Sequence, residues 1–250
     1  MKVIFNGELL EIQDTPASDK GWLPGQGIFE TVKTVENAVY ALDLHLDRAQ
    51  KSARAISLKI PDRNEIEQAV DMLLKHVRES NGLLRISFAE HSDWLVVHLP
   101  YESSDAPLKL RIHPQKFSGS PYKQFPYTDR LKVMEQSKSA GFDDAIIVNT
   151  RGDICEGSVT NLMVHIENQW LTPPVEDGLL PGIMREILIA NNLVKVQSIQ
   201  LSQISNITSA FFLSSLRIAQ PIASIEAYQL QVSHVFGQEI HALARKYSVG

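Results

Sequence analysis

The 250 residues contain a single cysteine, Cys155. One thiol cannot form an intrachain disulfide, and it is too few for the cysteine sets that hold structural zinc. A chain with so little cysteine is typical of a reducing compartment. The sequence therefore predicts no disulfide and no metal site.

Long apolar runs are also missing. Asn6, Gly7 and Glu8 interrupt the first ten residues, so we expect no secretory leader there. No stretch approaches the ~20 consecutive apolar residues that a membrane-spanning helix needs. These two absences lead us to expect a cytoplasmic protein with no membrane partner.

The chain has no dense cluster of basic residues, and its formal net charge is −5. Both features disfavour a nucleic-acid partner. The motifs of P-loop proteins and of the hydrolase nucleophile elbow are absent as well. Hydrophobic residues make up 44% of the chain and charged residues 21%, which is typical of a soluble globular protein.

Hydrophobic periodicity predicts a mixed α/β chain in two parts. Strand patterns and turns alternate near the start, and helical spacing follows in residues 42–57 and 62–77. A glycine and a proline then mark a connecting loop. We expect an N-terminal α/β domain in residues 1–113, an interdomain loop in residues 114–119, and a C-terminal α/β domain in residues 120–250.

The most informative stretch covers residues 122–161. It places Lys123 in a mixed polar and aromatic loop, and a helical run follows from Tyr127 to about residue 140. A short apolar strand and a turn then lead to Glu156 and Asn161. Taken singly, a loop lysine and a glutamate after a turn are ordinary surface residues. Their order and spacing carry the information.

This order resembles the signature of class IV, or fold type IV, pyridoxal-phosphate enzymes. The family includes branched-chain and D-amino-acid aminotransferases and 4-amino-4-deoxychorismate lyase. The resemblance implies a two-domain α/β (α+β) fold like that of D-amino-acid aminotransferase, with pyridoxal 5′-phosphate in the cleft between the domains. It also implies that Lys123 forms the Schiff base, that Glu156 contacts the pyridine nitrogen, and that Tyr127 lies near the ring oxygen.

The chemistry explains why a lysine and a carboxylate are needed together. A lysine amine with an ordinary pKa of ~10.4 is protonated at neutral pH, so it must be desolvated or placed near cations to act as a nucleophile. The freed amine can then serve as the general base for the substrate Cα proton. A carboxylate at the ring nitrogen keeps the ring protonated, and the ring can then withdraw electrons.

Two further segments and an arginine resemble phosphate-binding elements of the same family. Arg48 stands in a His-x-x-Arg pattern with His45, and a guanidinium fork suits phosphate. Ile183 and Met184 follow a glycine at the start of a predicted helix, where backbone N–H groups bind anions. Ser215 matches a phosphate-binding hydroxyl. The resemblance thus implies cofactor contacts by Arg48, Ile183, Met184 and Ser215.

Residues 25–31 (GQGIFET) begin like a dinucleotide-binding motif, but the third glycine is missing and no helical pattern follows. They resemble instead the family motif Gly-x-Gly-x-Phe-Glu-Thr, with Gln26 where many relatives have aspartate. Arg85 lies among apolar residues in a predicted strand. It is a candidate ligand for a substrate carboxylate, and the alternative is a side chain that faces solvent from an alternate strand position.

Details within these motifs favour one reaction. Met184 replaces the threonine usual in the aminotransferases, and residues 214–217 (SSLR) resemble the lyases. The chain is also shorter than is typical of branched-chain aminotransferases. We therefore predict a lyase of folate biosynthesis that converts 4-amino-4-deoxychorismate to 4-aminobenzoate and pyruvate. The alternative is a branched-chain or D-amino-acid aminotransferase.

Other interpretations concern partners and a loss of activity. The resemblance implies a homodimer that acts on a small-molecule amino substrate. A degenerate member of the fold, kept as a binding subunit, would not need Lys123, Glu156 and Arg48 together. Cys155 could be proposed as a nucleophile, but a lone strand cysteine is more commonly a small buried hydrophobe.

Overall fold

The computed structural model describes residues 1–117 and 119–249, and it is a mixed α/β structure, as the sequence predicts. Its strands are β1 (Lys2–Phe5), β2 (Glu8–Glu11), β3 (Gly27–Val35), β4 (Ala38–Tyr40), β5 (Asn81–Ala89), β6 (Trp94–Pro100), β7 (Leu108–Ile112), β8 (Gln124–Phe125), β9 (Asp144–Val148), β10 (Ile154–Gly157), β11 (Asn161–Ile166), β12 (Gln169–Thr172), β13 (Lys195–Val196), β14 (Ser209–Ser214), β15 (Ile218–Ile225), β16 (Tyr228–Gln229) and β17 (Ser248–Val249).

The helices are α1 (Leu42–Ala55), α2 (Arg63–His76), α3 (Thr128–Ser139), α4 (Ile183–Ala190) and α5 (His234–Arg245). None of the helices in the described part of the chain combines the length and apolar character needed to cross a bilayer.

The chain folds into two compact units. Unit 1 comprises Met1–Ser103, Tyr122–Pro126 and Tyr247–Gly250, and unit 2 comprises Ser104–Pro121 and Tyr127–Lys246.

This division differs from the one expected from the sequence. We expected residues 1–113 to fold together, but β7 pairs in parallel with β9 and β15 and so belongs to unit 2. Conversely, β8 pairs with β3, and Lys123 therefore belongs to unit 1 although it lies past the expected boundary.

Unit 1 is built on an antiparallel sheet with the strand order β17-β4-β3-β5-β6-β1-β2, and β8 adds to β3. Helix α1 packs on β3, and α2 packs on β1 and β6. The apolar residues of α2 recur at helical spacing, so one face of the helix is buried. Ile66, Val70 and Leu73 on that face share a core with Val32 and Ile86 of the sheet.

Unit 2 is built on a sheet with the order β10-β9-β7-β15-β14-β11-β12-β13, and β16 adds to β15. A further pairing of β10 with β11 closes part of the sheet into a ring. Ile146, Leu162 and Phe212 are fully buried within its core. Helices α3, α4 and α5 pack on β9, β14 and β15 respectively.

The end of α3 follows the prediction from sequence. Gly141 has a φ of +84°, and its N–H donates to the Lys138 carbonyl. The Phe142 N–H donates to the Ser137 carbonyl, which completes a Schellman motif. The helix therefore ends at about residue 140, as the sequence predicts.

The starts of α2 and α5 differ in their capping. The Asp62 carboxylate caps α2 by accepting a 2.9 Å hydrogen bond from the Glu65 N–H. Ser233 occupies the N-cap position of α5, but its side chain makes no capping hydrogen bond within the described residues.

Candidate active site

The predicted site residues are distributed over both units. Unit 1 contains Arg48, Arg85 and Lys123, and unit 2 contains Tyr127, Glu156, Ile183, Met184 and Ser215.

Lys123 lies beside the strand that carries the Gly-x-Gly-x-Phe-Glu motif. The Lys123 carbonyl accepts a 2.9 Å hydrogen bond from the Phe29 N–H. Its ammonium Nζ lies 4.6 Å from the centre of the Phe29 ring. An aromatic face attracts a cation at such a distance. Phe29 therefore contacts the side chain on which the predicted chemistry depends.

Phe29 is also part of an aromatic cluster in unit 1. Its ring centre lies 4.9 Å from that of Trp22 and 6.5 Å from that of Phe125, and both pairs meet edge to face. Edge-to-face contacts are favourable because ring edges are positive and faces are negative. The cluster gives the Lys123 side chain an apolar neighbourhood.

Arg48 is held by a carboxylate that the sequence analysis did not identify. Its Nε donates to Oε1 of Glu30 at 2.9 Å, and its Nη2 donates to Oε2 at 2.6 Å. The same Oε2 lies 2.6 Å from Nδ1 of His45. The exposed fractions of Glu30, His45 and Arg48 are 2%, 1% and 9%. The three side chains thus form a buried network at the junction of β3 and α1.

The charges of this network follow from its contacts. Burial alone would raise the pKa of Glu30, but the charge of Arg48 and the hydrogen bond with His45 outweigh it and lower that pKa from 4.5 to about 2. Burial lowers the pKa of His45, against the attraction of Glu30, and the charges of Arg48 and Lys123 lower it further. At neutral pH, Glu30 is therefore ionised and His45 is neutral.

Neutral His45 donates through Nδ1 to the Glu30 carboxylate, so its Nε2 is an acceptor. Nε2 is buried and has no hydrogen-bond partner among the described residues. Arg48 and Glu30 together carry no net charge. The predicted binding of phosphate by Arg48 stays a prediction. Two nitrogens of this guanidinium already donate hydrogen bonds to the Glu30 carboxylate.

Donors in unit 2 hold both oxygens of Glu156. Its Oε1 accepts a 2.6 Å hydrogen bond from Nη2 of Arg130. Its Oε2 accepts from the Leu180 N–H at 3.2 Å and from Nδ2 of Asn161 at 3.4 Å. Glu156 is 4% exposed. The predicted ring-nitrogen partner is therefore a buried, fixed carboxylate, and Tyr127 is the N-cap residue of the helix that supplies Arg130.

Two glycines leave room around Glu156 and Asn161. A Cβ at Gly119 would collide with Nη2 of Arg130 and lie 2.6 Å from Oε1 of Glu156. A Cβ at Gly182 would collide with Oδ1 of Asn161. Both positions therefore require glycine if these polar contacts are to persist.

The start of α4 lies in the segment predicted to bind phosphate. Gly182 is its N-cap, and no side chain among the described residues caps it, so the first N–H groups lack the usual partner. Ile183 and Met184 are 2% and 3% exposed. In a separate turn, the hydroxyl of Ser214 accepts from the Arg217 N–H at 3.1 Å, which leaves Ser215 as the serine not used by that turn.

Arg85 lies against Trp22 in unit 1. The guanidinium carbon is 3.8 Å from the centre of a Trp22 ring, and Nη1 donates to the Lys20 carbonyl at 2.7 Å. Its Nε is buried without a partner in the described chain. Burial lowers the pKa of Arg85 to about 10, so the side chain remains charged. Its role as a carboxylate ligand stays a prediction.

Cys155 has the surroundings of a structural residue. It is fully buried, and its thiol donates to the Asp177 carbonyl at 3.1 Å. Burial, together with the charge of Glu156, raises the pKa of the thiol to about 12. A thiolate is the nucleophilic form, so this environment opposes a role for Cys155 in catalysis.

Comparison with known proteins gives the family. A family model described as amino-transferase class IV matches residues 27–225. A Methanocaldococcus jannaschii protein, provisionally named a branched-chain-amino-acid aminotransferase, is 25% identical over 225 residues, covering 80% of this chain and 77% of its own. The aminodeoxychorismate lyase of Bacillus subtilis is 25% identical over 213 residues, covering 76% of this chain and 73% of its own.

A solved structure gives the same fold. The pyridoxal-phosphate-bound form of a hypothetical aminotransferase from Mycobacterium tuberculosis superposes with a TM-score of 0.83 at 18% identity, and the match covers 98% of each chain. The family model spans most of the sequence, including the strand of Glu30 and the segments of Lys123, Glu156 and Met184. The chain therefore belongs to the class IV aminotransferase family, whose members are enzymes that use pyridoxal 5′-phosphate.

Proposed function

We propose that the enzyme is a lyase of folate biosynthesis that converts 4-amino-4-deoxychorismate to 4-aminobenzoate and pyruvate. The observation that carries the proposal is the buried Met184 in the first turn of α4. A thioether donates no hydrogen bond, so this turn offers a phosphate its backbone N–H groups without a hydroxyl. By resemblance, the aminotransferases of the family usually have threonine here, and the sequence Ser214–Arg217 also resembles the lyases.

The residues of the chain suit the cofactor group by group. The backbone N–H groups of Ile183 and Met184 fit a phosphate, with Arg48 and Ser215 as further donors. The buried carboxylate of Glu156 fits a protonated ring nitrogen, since one of its oxygens accepts from a guanidinium and the other is held by neutral donors. A lysine amine beside an aromatic face fits the role of the Schiff-base residue.

When bound, the cofactor withdraws the electron pair that remains at the substrate Cα. The Lys123 amine would take the Cα proton as a general base. Glu156 would hold the proton of the ring nitrogen, and Tyr127 would lie near the ring oxygen. Loss of the Cα proton makes the substrate ring aromatic as its C–O bond to the enolpyruvyl group breaks, and the released enol takes up a proton to become pyruvate. Arg85 is the candidate for a substrate carboxylate.

A branched-chain or D-amino-acid aminotransferase is the second candidate. In that reaction Lys123 would return the proton to the cofactor, so amino transfer would replace C–O cleavage. The aromatic cluster of Trp22, Phe29 and Phe125 beside Lys123 favours this alternative, because an apolar wall suits an aliphatic side chain. The relatives support both reactions at the same identity.

A side-by-side assay of one preparation separates the two reactions. We expect pyruvate release from 4-amino-4-deoxychorismate, and little amino transfer from L-leucine, L-glutamate or D-alanine to 2-oxoacids. Lys123→Ala protein, purified in the same way, measures the background from contaminating enzymes. Robust amino transfer without pyruvate release would replace the lyase by the aminotransferase.

We also propose that the enzyme is a cytoplasmic homodimer. The single cysteine supports a reducing compartment, and the family resemblance supports the dimer. Light scattering of the holoenzyme is expected to give twice the chain mass of 28.0 kDa. A strict monomer with full activity would contradict the dimer.

A further inference from the structure

Arg130 is a cation placed where the helix alone would disfavour it. It lies in the first turn of α3, where the helix dipole is positive and basic side chains are unfavourable. Its Nη2 nevertheless lies 2.6 Å from Oε1 of Glu156, and the side chains of Arg130 and Glu156 are 14% and 5% exposed. The partner that explains its position is therefore Glu156.

The surroundings fix this ion pair from two further sides. The guanidinium carbon lies 5.4 Å from the centre of the Phe117 ring. At Gly119, a Cβ would collide with Nη2 of Arg130 and would lie 2.6 Å from Oε1 of Glu156 and 2.7 Å from the Gly178 carbonyl oxygen. The Gly119 N–H donates to that same carbonyl at 2.7 Å. The backbone at residue 119 thus lies directly against the ion pair, and there is no space for a side chain at this position.

We propose that Arg130 is a positioning residue that acts through Glu156: it shares the negative charge of the carboxylate and so limits how firmly the cofactor's ring nitrogen holds its proton. This inference rests on the proposed contact of Glu156 with that nitrogen. A guanidinium at hydrogen-bond distance offsets part of the field that the carboxylate exerts on a second cation. The negative field that Glu156 exerts on the ring nitrogen is therefore weaker than that of a glutamate without a cationic partner.

The sign of the effect separates this role from a merely structural one. If Arg130 shares the charge of Glu156, removing it strengthens the hold of Glu156 on the ring proton. If Arg130 serves only to keep Glu156 in place, removing it frees the carboxylate to turn away, and the hold weakens. Removal of Arg130 thus changes the affinity of the ring nitrogen for its proton in opposite directions under the two roles.

The test uses holoenzyme loaded with pyridoxal 5′-phosphate labelled with ¹⁵N in the ring, and nuclear magnetic resonance follows the ring-nitrogen shift against pH. In Arg130→Met, the midpoint of ring deprotonation is expected to rise by about one pH unit. Arg130→Lys, which keeps the charge, should return most of the way to wild type. Arg130→Gln, which removes the charge but keeps a polar side chain, should also raise the midpoint and keeps the test usable if Arg130→Met does not fold.

Two controls assign the outcomes. Arg151→Met removes another ion-paired arginine of unit 2, bound to Asp153 and Asp177, and should leave the midpoint unchanged. Glu156→Gln should lower it strongly. If Glu156→Gln has no effect, the ring-nitrogen role of Glu156 fails and the inference fails with it. If Glu156→Gln lowers the midpoint while Arg130→Met and Arg130→Gln leave it unchanged or lower it, only the role of Arg130 is overturned.

Discussion

Replacing Lys123 with alanine is expected to abolish turnover and to remove the visible absorbance band of the bound cofactor. The amine of Lys123 is both the predicted attachment point of the cofactor and the predicted base, and the methyl group of alanine can serve as neither. The measurement is an absorbance spectrum and an activity assay after incubation with pyridoxal 5′-phosphate. Borohydride reduction of the wild-type enzyme, followed by peptide mass spectrometry, should locate the cofactor on Lys123.

Lys132→Ala is the matched control for this prediction. Lys132 lies nine residues further along the chain, its side chain is 66% exposed, and its Nζ lies 3.4 Å from Oδ1 of Asp129. It should retain the band and the activity. A wild-type protein that stays colourless with the cofactor, or a Lys123→Ala protein that keeps full turnover, would contradict the assignment.

Local elements were predictable because their signals lie within a few residues. The run that became α3 ends at Gly141, where a positive φ is needed and glycine supplies it. Helical spacing predicted a helix in residues 62–77, and α2 spans Arg63–His76. Such patterns need no knowledge of distant partners.

The arrangement of strands was not predictable from these signals. β15 was missed because Pro221 lies within it, and proline normally indicates an edge or an interruption. The strand nevertheless pairs with β14 on one side and β7 on the other. β7 lies within the residues expected to form the first domain, but its parallel partners, β9 and β15, come later in the chain. Long-range pairing is not encoded in local periodicity.

The site was predictable where spacing along the chain is diagnostic. Lys123, Glu156 and Met184 stand in segments that resemble family motifs. Glu30 and Arg130 were missed as partners, although Glu30 lies within a recognised motif. A single sequence does not state which carboxylate faces which guanidinium, because the Arg48–Glu30 and Arg130–Glu156 pairs join a helix to a strand 18 and 26 residues away.

Replacing Glu30 with alanine is expected to lower the free energy of unfolding by about 3–5 kcal/mol. The change leaves the Arg48 guanidinium, only 9% exposed, without the carboxylate that accepts from its Nε and Nη2. It also removes the acceptor of His45 Nδ1. Both groups stay buried, so neither gains hydrogen bonds to water in place of those lost with the carboxylate. Urea unfolding of apoenzyme at neutral pH, followed by circular dichroism, measures the loss.

Glu67→Ala is the control for burial. It removes a carboxylate 2.9 Å from Nε of Arg63, but the two side chains are 38% and 32% exposed. Water screens such a pair, so the expected loss is only about 0–1 kcal/mol. Equal losses in the Glu30 and Glu67 variants would show that the buried network contributes no more than a surface ion pair.

The Glu30 contribution should also depend on pH in a defined direction. The pKa of Glu30 falls from 4.5 to about 2 on folding, since Arg48 and His45 outweigh the effect of burial. A carboxyl group with a depressed folded pKa stabilises the protein above its unfolded pKa, and that stability is lost as the pH falls towards the folded value. The shift corresponds to about 3 kcal/mol. The stability difference between wild type and Glu30→Gln should therefore be largest above pH 4.5 and should shrink as the pH falls to about 2. Parallel curves over that range would mean that Glu30 is not the ionised centre of the network.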